Sequence, residues 1–268
     1  MALLELKDIS HQFGTRRVLG GISLAVAAGE FVSIIGSSST GKSTLIKIAC
    51  GLLKPSSGSV TLGGEPVNGF SPRASIVFQN YSLLPWFSTL ENVRLAVEAA
   101  WPAWSPVQGV EHATKYLQMV GLGSALSKKP GQLSGGMRQR VAIARAFAVE
   151  PEILFLDEPF GALNALTRAT LQQELARLRG AAAKPVTALM ITNSVDEALL
   201  LSDRVFALRP RAQEGGVLGP ALDIPLPRPR SRDALLEDQV ALHLKAQLEQ
   251  TLLSNHRAGQ PTAVPQEA

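Results

Sequence analysis

Cysteine is nearly missing. Cys50 is the only one in 268 residues, so no disulfide can form within the chain, and a reducing compartment is its natural setting. It lies among apolar residues, where a thiol behaves as a small core side chain. Aromatics are scarce too, with nine Phe, three Trp and two Tyr, and no basic run accompanies the net charge of +4. A surface that stacks bases and neutralises phosphates is therefore not expected, and nucleic acid is not an expected partner. No apolar run approaches the ~20 residues that span a bilayer; the uncharged stretch from Val18 stops at Glu30. Glu5 and Asp8 stand where a secretory leader would have its apolar centre, which predicts a cytosolic chain without one. With 46% apolar and 18% charged residues, a substantial core is available and wholesale disorder is excluded. The length suits one large domain, or one with an appendage. No internal repeat is found.

What is present centres on Gly36-Ser37-Ser38-Ser39-Thr40-Gly41-Lys42-Ser43-Thr44. Two glycines with four residues between them, followed by Lys-Ser, form a phosphate-binding loop pattern. The glycines permit a tight turn whose N–H groups converge on phosphate oxygens. Lys42 reaches the terminal phosphates, and the Ser43 hydroxyl suits Mg2+. The apolar run Phe31–Ile35 leads in and Ser43–Cys50 continues as a helix, which sets a positive helix end at the phosphates.

Around this loop the chain reads as α/β. Alternation over residues 3–9 predicts a half-buried strand, and Val18–Val26 a second. Ser59–Gly64 is a short strand with a Gly-Gly hairpin signal. Ala74–Gln79 is a buried strand that ends on a polar residue, followed by an unusually apolar loop through Trp86. Helices are expected from Thr89, with Ser88 or Thr89 as cap, and over Val110–Val120, with a break at Trp101–Pro106 between them. Ser134-Gly135-Gly136 opens another helix. Ile153–Leu156 is a buried strand that ends abruptly in Asp157-Glu158, and adjacent acids there need a cation or water. Val186–Thr192 and Asp203–Leu208 are further core strands. Beyond Arg211 glycine and proline predict irregular chain, then one amphipathic helix over Asp233–Ser254, with the last dozen residues disordered.

The loop, Gln79, Leu133-Ser-Gly-Gly-Met137 and Ile153-Leu-Phe-Leu-Asp-Glu-Pro159 occur in the order and spacing of ABC ATPases. Over residues 1 to about 210 the chain resembles the ATP-binding subunits of ABC importers. Phe78–Trp86, Asp157–Leu163 and the Arg228-Pro-Arg segment resemble the nitrate/sulfonate/taurine/bicarbonate branch, and the Trp101–Pro106 stretch with the Pro-Arg-Pro-Arg tail resembles its nitrate and bicarbonate members most. The resemblance implies a P-loop NTPase core with an inserted helical subdomain, an antiparallel β subdomain and a C-terminal tail. It divides the chain into a core with the β subdomain (1–85), a helical signature subdomain (86–148), the remaining core (149–212) and the tail (213–268). It implies ATP and Mg2+, with Phe13 stacking on adenine and residues 36–44 on the phosphates. Ser43, Gln79 and Asp157 would serve the metal, Glu158 would be the general base, and Gln79 and residue 193 would complete the catalytic set. Leu133, Ser134, Gly135, Gly136 and Met137 would act in trans on the nucleotide of a second ATP-binding subunit. Leu83, Leu84, Pro85 and Trp86 would meet a transmembrane permease, with a solute-binding protein engaged indirectly. The implied location is peripheral, on the cytoplasmic face of the inner or plasma membrane. A soluble ABC ATPase acting on nucleic acid fits less well, since the chain carries one cassette and no basic linker; a nearly inactive regulatory partner is the other alternative.

Three positions depart from the family pattern. Asn193 replaces the usual histidine, and an amide cannot carry a proton. Asn164 replaces an aspartate expected to reach across the dimer. Ser39 replaces a glycine, which is strained if its φ is positive. Intact ATP binding with slowed hydrolysis is expected, in an asymmetric pair with a more complete subunit or in a homodimer where asparagine suffices.

Overall fold

A computed structural model describes residues 2–181 and 186–258. The chain opens as a long antiparallel hairpin, β1 (Ala2–Phe13) with β2 (Arg16–Ala27), burying Leu4, Leu6 and Ile9 against Leu19, Ile22 and Leu24. Both strands outrun the expected lengths, because the turn falls only at Gly14, whose positive φ suits glycine. β3 (Phe31–Ile35) is buried at every residue, as a strand covered on both faces must be. It is followed by α1 (Lys42–Ala49), β4 (Ser57–Leu62), β5 (Glu65–Pro66) and β6 (Ala74–Val77).

The helical block follows. α2 (Thr89–Ala100) begins at Ser88, whose hydroxyl accepts the Glu91 N–H while the Glu91 carboxylate accepts the Ser88 N–H. α3 (Pro106–Met119) starts four residues before Val110, because Ser105 and Gln108 make the same exchange. Pro106 occupies the first turn, where a missing N–H does no harm. In the break between them Trp101 and Trp104 stack with centroids 4.5 Å apart. α4 (Gly135–Ala148) is capped by Ser134, which accepts the Met137 N–H.

β7 (Ile153–Asp157), α5 (Ala165–Ala181), β8 (Thr187–Thr192), α6 (Val195–Leu201) and β9 (Arg204–Arg211) complete the expected elements. The stretch read as irregular after Arg211 is instead β10 (Gly215–Asp223), antiparallel to β9 and paired with β2 through Gly216 and Leu19. Its proline is accommodated because Pro220 falls at the register shift between Leu218 and Ala221. The single tail helix is in fact two, α7 (Arg232–Glu237) and α8 (Gln239–Ala258). Asp238 separates them, and its carboxylate accepts the Ala241 N–H to start the second. Most of the segment expected to be disordered lies outside the described residues.

Among the described residues the strands form one sheet, ordered β5-β4-β1-β2-β10-β9-β3-β8-β7-β6. The run from β9 to β6 is parallel and the β1–β5 side is antiparallel. One apolar layer joins α2–α5 to β7 and β8, and another joins α1 to the hairpin side. A third packs α6 and α8 on β9 and the end of β10. No helix of the described residues is long and apolar enough to cross a membrane.

Candidate active site

In an open parallel sheet, ligands bind beyond the carboxyl ends of the strands. Four neighbouring parallel strands deliver the predicted polar residues there. Gln79 follows β6, Asp157-Glu158 ends β7, Asn193 follows β8, and the loop from Gly36 follows β3. Adjacent strands lie ~4.8 Å apart, so residues scattered over 157 positions of sequence become neighbours.

Lys42 is the hub. Its side chain is only 4% exposed, and its ammonium donates to the carbonyls of Gly36 (2.8 Å) and Ser37 (2.9 Å) and to Asn193 Oδ1 (2.7 Å). Glu158 Oε1 stands 3.6 Å away. Asn193 Nδ2 donates to that same oxygen at 3.0 Å, and Gln79 Nε2 approaches Glu158 Oε2 at 3.5 Å. The amide of Asn193 thus joins a donor-only cation to an acceptor-only carboxylate, which fixes its orientation. Burial pushes the Lys42 ammonium pKa down, and the neighbouring Glu158 works against that shift. Glu158 holds φ at 45°, left-handed for a non-glycine residue. Such backbone costs about 1–3 kcal/mol and is commonest at functional sites. Its N–H donates to Ile191 O (3.0 Å) and its carbonyl accepts the Gly161 N–H (3.1 Å), which pin that conformation.

Beside this cluster the Ser43 hydroxyl donates to Asp157 Oδ1 at 3.0 Å. Burial drives the Asp157 carboxyl upward in pKa, the Ser43 bond opposes it, and Glu158 adds to it. A buried carboxylate, a hydroxyl and the nearby Gln79 amide are hard oxygen donors, the set Mg2+ prefers when phosphates complete its shell. No cluster of three or more His, Cys, Asp or Glu suited to a metal exists among the described residues.

The other predicted residues lie apart from this cluster. Phe13 is 54% exposed at the end of β1, edge-on to His11. Leu133 is buried, and Ser134–Met137 form the first turn of α4, bonded among themselves. Leu83 packs on the core and Leu84 is half-buried, whereas Pro85 is exposed and Trp86 is 63% exposed. Ser39 adopts φ 69°, so the strain anticipated for a non-glycine there is present, about 1 kcal/mol. Asn164 is engaged within its own chain, accepting the Thr167 N–H at 2.9 Å at the start of α5.

Sequence reading passed over three supports. Asn92, 2% exposed, accepts the Leu84 N–H and donates to the carbonyls of Leu84, Phe87 and Ser88, which ties the apolar loop to α2. A polar residue on a buried helix face was the available signal. Arg145 of α4 donates to Ser82 O (2.7 Å) and Tyr81 O (3.0 Å), joining the signature helix to the loop after Gln79. Gly216 of β10 lies so close to the phosphate loop that a Cβ there would sit 2.3 Å from the Thr40 carbonyl. Gly216→Ala is therefore expected to displace that loop. Overpacking of this kind costs about 1–3 kcal/mol, and titration calorimetry should show ATP affinity falling about tenfold or more.

Residues 19–161 match the ABC transporter family. The nitrate import ATP-binding protein NrtD of Synechococcus elongatus is 48% identical over 217 residues, covering 81% of this chain and 78% of that protein. The bicarbonate transport ATP-binding protein CmpD of Synechocystis sp. is 43% identical over 250 residues, covering 91% and 86%. The bicarbonate transport ATP-binding protein CmpC of Synechocystis sp. is 44% identical over 92% of this chain, which spans only 37% of that longer protein. Among solved structures, a dimeric bacterial ABC transporter cassette superposes with a TM-score of 0.73 at 31% identity, covering 83% of this chain and 99% of that one. The same cassette in a post-hydrolysis state bound to ADP and Pi gives a TM-score of 0.72 at 30% identity, with the same coverage. Loop, strand-end carboxylates and signature helix therefore have their explanation in descent as well as in geometry: the chain belongs to the ABC transporter family and is one of its ATP-binding, ATP-hydrolysing cassettes.

Proposed function

We propose that this cassette energises import of a small anion of the nitrate or bicarbonate class. The observation that supports it is the connected set Lys42–Asn193–Glu158–Gln79 beside Ser43–Asp157, in a chain whose relatives carry nitrate- and bicarbonate-transport names. Phe13 stacks on adenine, and the N–H groups of residues 36–44 with Lys42 hold the phosphates. Ser43, Gln79 and Asp157 would hold Mg2+, which would neutralise charge on the phosphate oxygens. Glu158 orients a water in line with the γ-phosphate and accepts its proton as the new P–O bond forms and ADP departs. Asn193 donates to the γ-phosphate in place of an imidazole. Ser134–Gly136 of a second subunit, identical or not, covers the nucleotide, with the helix end and its N–H groups facing the anion. Pro85 and Trp86, exposed and apolar, meet the permease, supported by Leu83 and Leu84. The cassette then works peripherally at the cytoplasmic face of the membrane, and solute choice rests with the permease and a solute-binding protein.

Uptake of labelled nitrate, bicarbonate and taurine in cells carrying the chain and its permease tests this. Uptake of nitrate or bicarbonate that is lost in the Glu158→Gln variant is expected; anion uptake indifferent to Glu158 would sink the proposal.

A second feature belongs with it. Asn193 can hydrogen-bond but cannot carry charge, so hydrolysis is slowed while binding is kept. Such a cassette suits pairing with a more complete subunit, to which it lends Ser134–Gly136.

A further inference from the structure

We infer that Glu197, which touches neither the phosphate loop nor the strand-end acids, is a positioning residue for Asn193, and that Arg232 of the C-terminal segment reaches the same site through it. This deepens the proposed function and rests on its placing of Asn193 at the γ-phosphate.

Glu197 is 3% exposed on α6. Its Oε2 accepts the Thr192 hydroxyl and its Oε1 accepts Gln172 Nε2 at 3.2 Å. Gln172 Oε1 in turn accepts Arg232 Nη2 at 3.2 Å. On the other side, Thr192 Oγ1 accepts the Ser194 N–H at 3.1 Å, and Ser194 Oγ accepts the N–H of Glu197 itself at 3.3 Å. Asn193 is the residue enclosed between these tied neighbours.

The direction of every bond is set by chemistry. Arg232 can only donate and an ionised Glu197 can only accept, so Gln172 must present its oxygen to one and its nitrogen to the other. The Thr192 hydroxyl must give its proton to Glu197, which leaves its lone pair for Ser194. An apolar side chain would fill the same space without fixing any of this. Burial pushes the Glu197 carboxyl up in pKa, and the Thr192, Arg168, Gln172 and Arg232 groups work against that shift. A buried acid hydrogen-bonded on both of its oxygens argues for a demand on orientation.

The same tail segment secures the far end of the helix. Arg230 donates to the carbonyls of Leu199 (2.8 Å) and Ser202 (2.6 Å), and Arg228 to that of Leu201 (2.7 Å). α6 is therefore held at its start by Glu197 and at its end by the tail, and Asn193 leads directly into it.

Two-dimensional 1H–15N spectra of the full-length chain test the inference, with the Asn193 side-chain amide assigned by its loss in Asn193→Ala. Thr192→Val removes the hydroxyl at constant shape, and Glu197→Ala removes its acceptor. Both should shift the Asn193 signal in the absence of nucleotide and speed its exchange with water about tenfold, the consequence of one lost charge-assisted hydrogen bond. Thr192→Ser should restore the parent signal. Arg232→Ala, a change on α7 remote from the loop, should shift it less and in the same direction. An Asn193 signal unmoved in Thr192→Val, Glu197→Ala and Arg232→Ala overturns the inference. The underlying reading has its own control: Mg2+ with a non-hydrolysable ATP analogue must move the parent signal and Mg2+ with ADP must not. If the two nucleotides act alike while the variants still shift the signal, the γ-phosphate assignment fails and the positioning role of Glu197 stands.

Discussion

Glu158→Gln will bind ATP as the parent chain does and turn it over about 10²–10⁴ times more slowly. The substitution keeps the size of the side chain and the acceptor that faces Asn193 Nδ2, while the new amide N–H2 meets Gln79, whose amide can turn its oxygen to accept, so the pocket should keep its shape. What disappears is the group proposed to take the proton of the attacking water. Because phosphoryl transfer depends chiefly on positioning and charge, an unchanged affinity with a collapsed turnover separates the base from a mere structural prop. Nucleotide affinity and phosphate release measured on one preparation check both halves. Equal turnover in the two chains would remove Glu158 from the reaction.

Lys42→Ala will act at the earlier step. The ammonium meets Gly36 O, Ser37 O and Asn193 Oδ1, with Glu158 nearby, and in the proposed function it is the cation that holds the terminal phosphates. Truncating one member of a buried charge pair costs about 2–5 kcal/mol, so ATP affinity should fall roughly 30-fold or more. Two carboxylates then face the incoming phosphate without that counter-charge. Titration calorimetry against ATP and ADP reads the loss. It should be larger for ATP if, as proposed, Lys42 serves the β- and γ-phosphates together.

The site was legible in the sequence because its chemistry is local. Gly36–Thr44 and Asp157-Glu158 each carry a spacing that a backbone turn or strand end demands, and parallel pairing brings those two together, while Leu133–Met137 stands apart at the start of α4. Departures from pattern were legible as well, since Ser39 does take the positive φ that makes a non-glycine residue strained there. What stayed hidden was support arriving from a distance. Gly215-Gly216 read as a break because glycine usually is one; here Gly216 must be bare to pass beside Thr40. Asn92 and Glu197 belong to no motif, and only the fold reveals that their partners lie in the loop before α2 and at the end of β8. The tail arginines were noticed as a resemblance, whereas their physical task is to satisfy carbonyls at the end of α6.

Steady-state phosphate release by the cassette assembled with its permease, compared between the parent chain and Asn193→His, reaches the centre of the account most directly. If Asn193 stands at the γ-phosphate and supplies only a neutral hydrogen bond, histidine should raise turnover by about tenfold or more while ATP affinity holds. Equal turnover in the two chains, at a rate no lower than that of an unmodified histidine-bearing cassette, would contradict it.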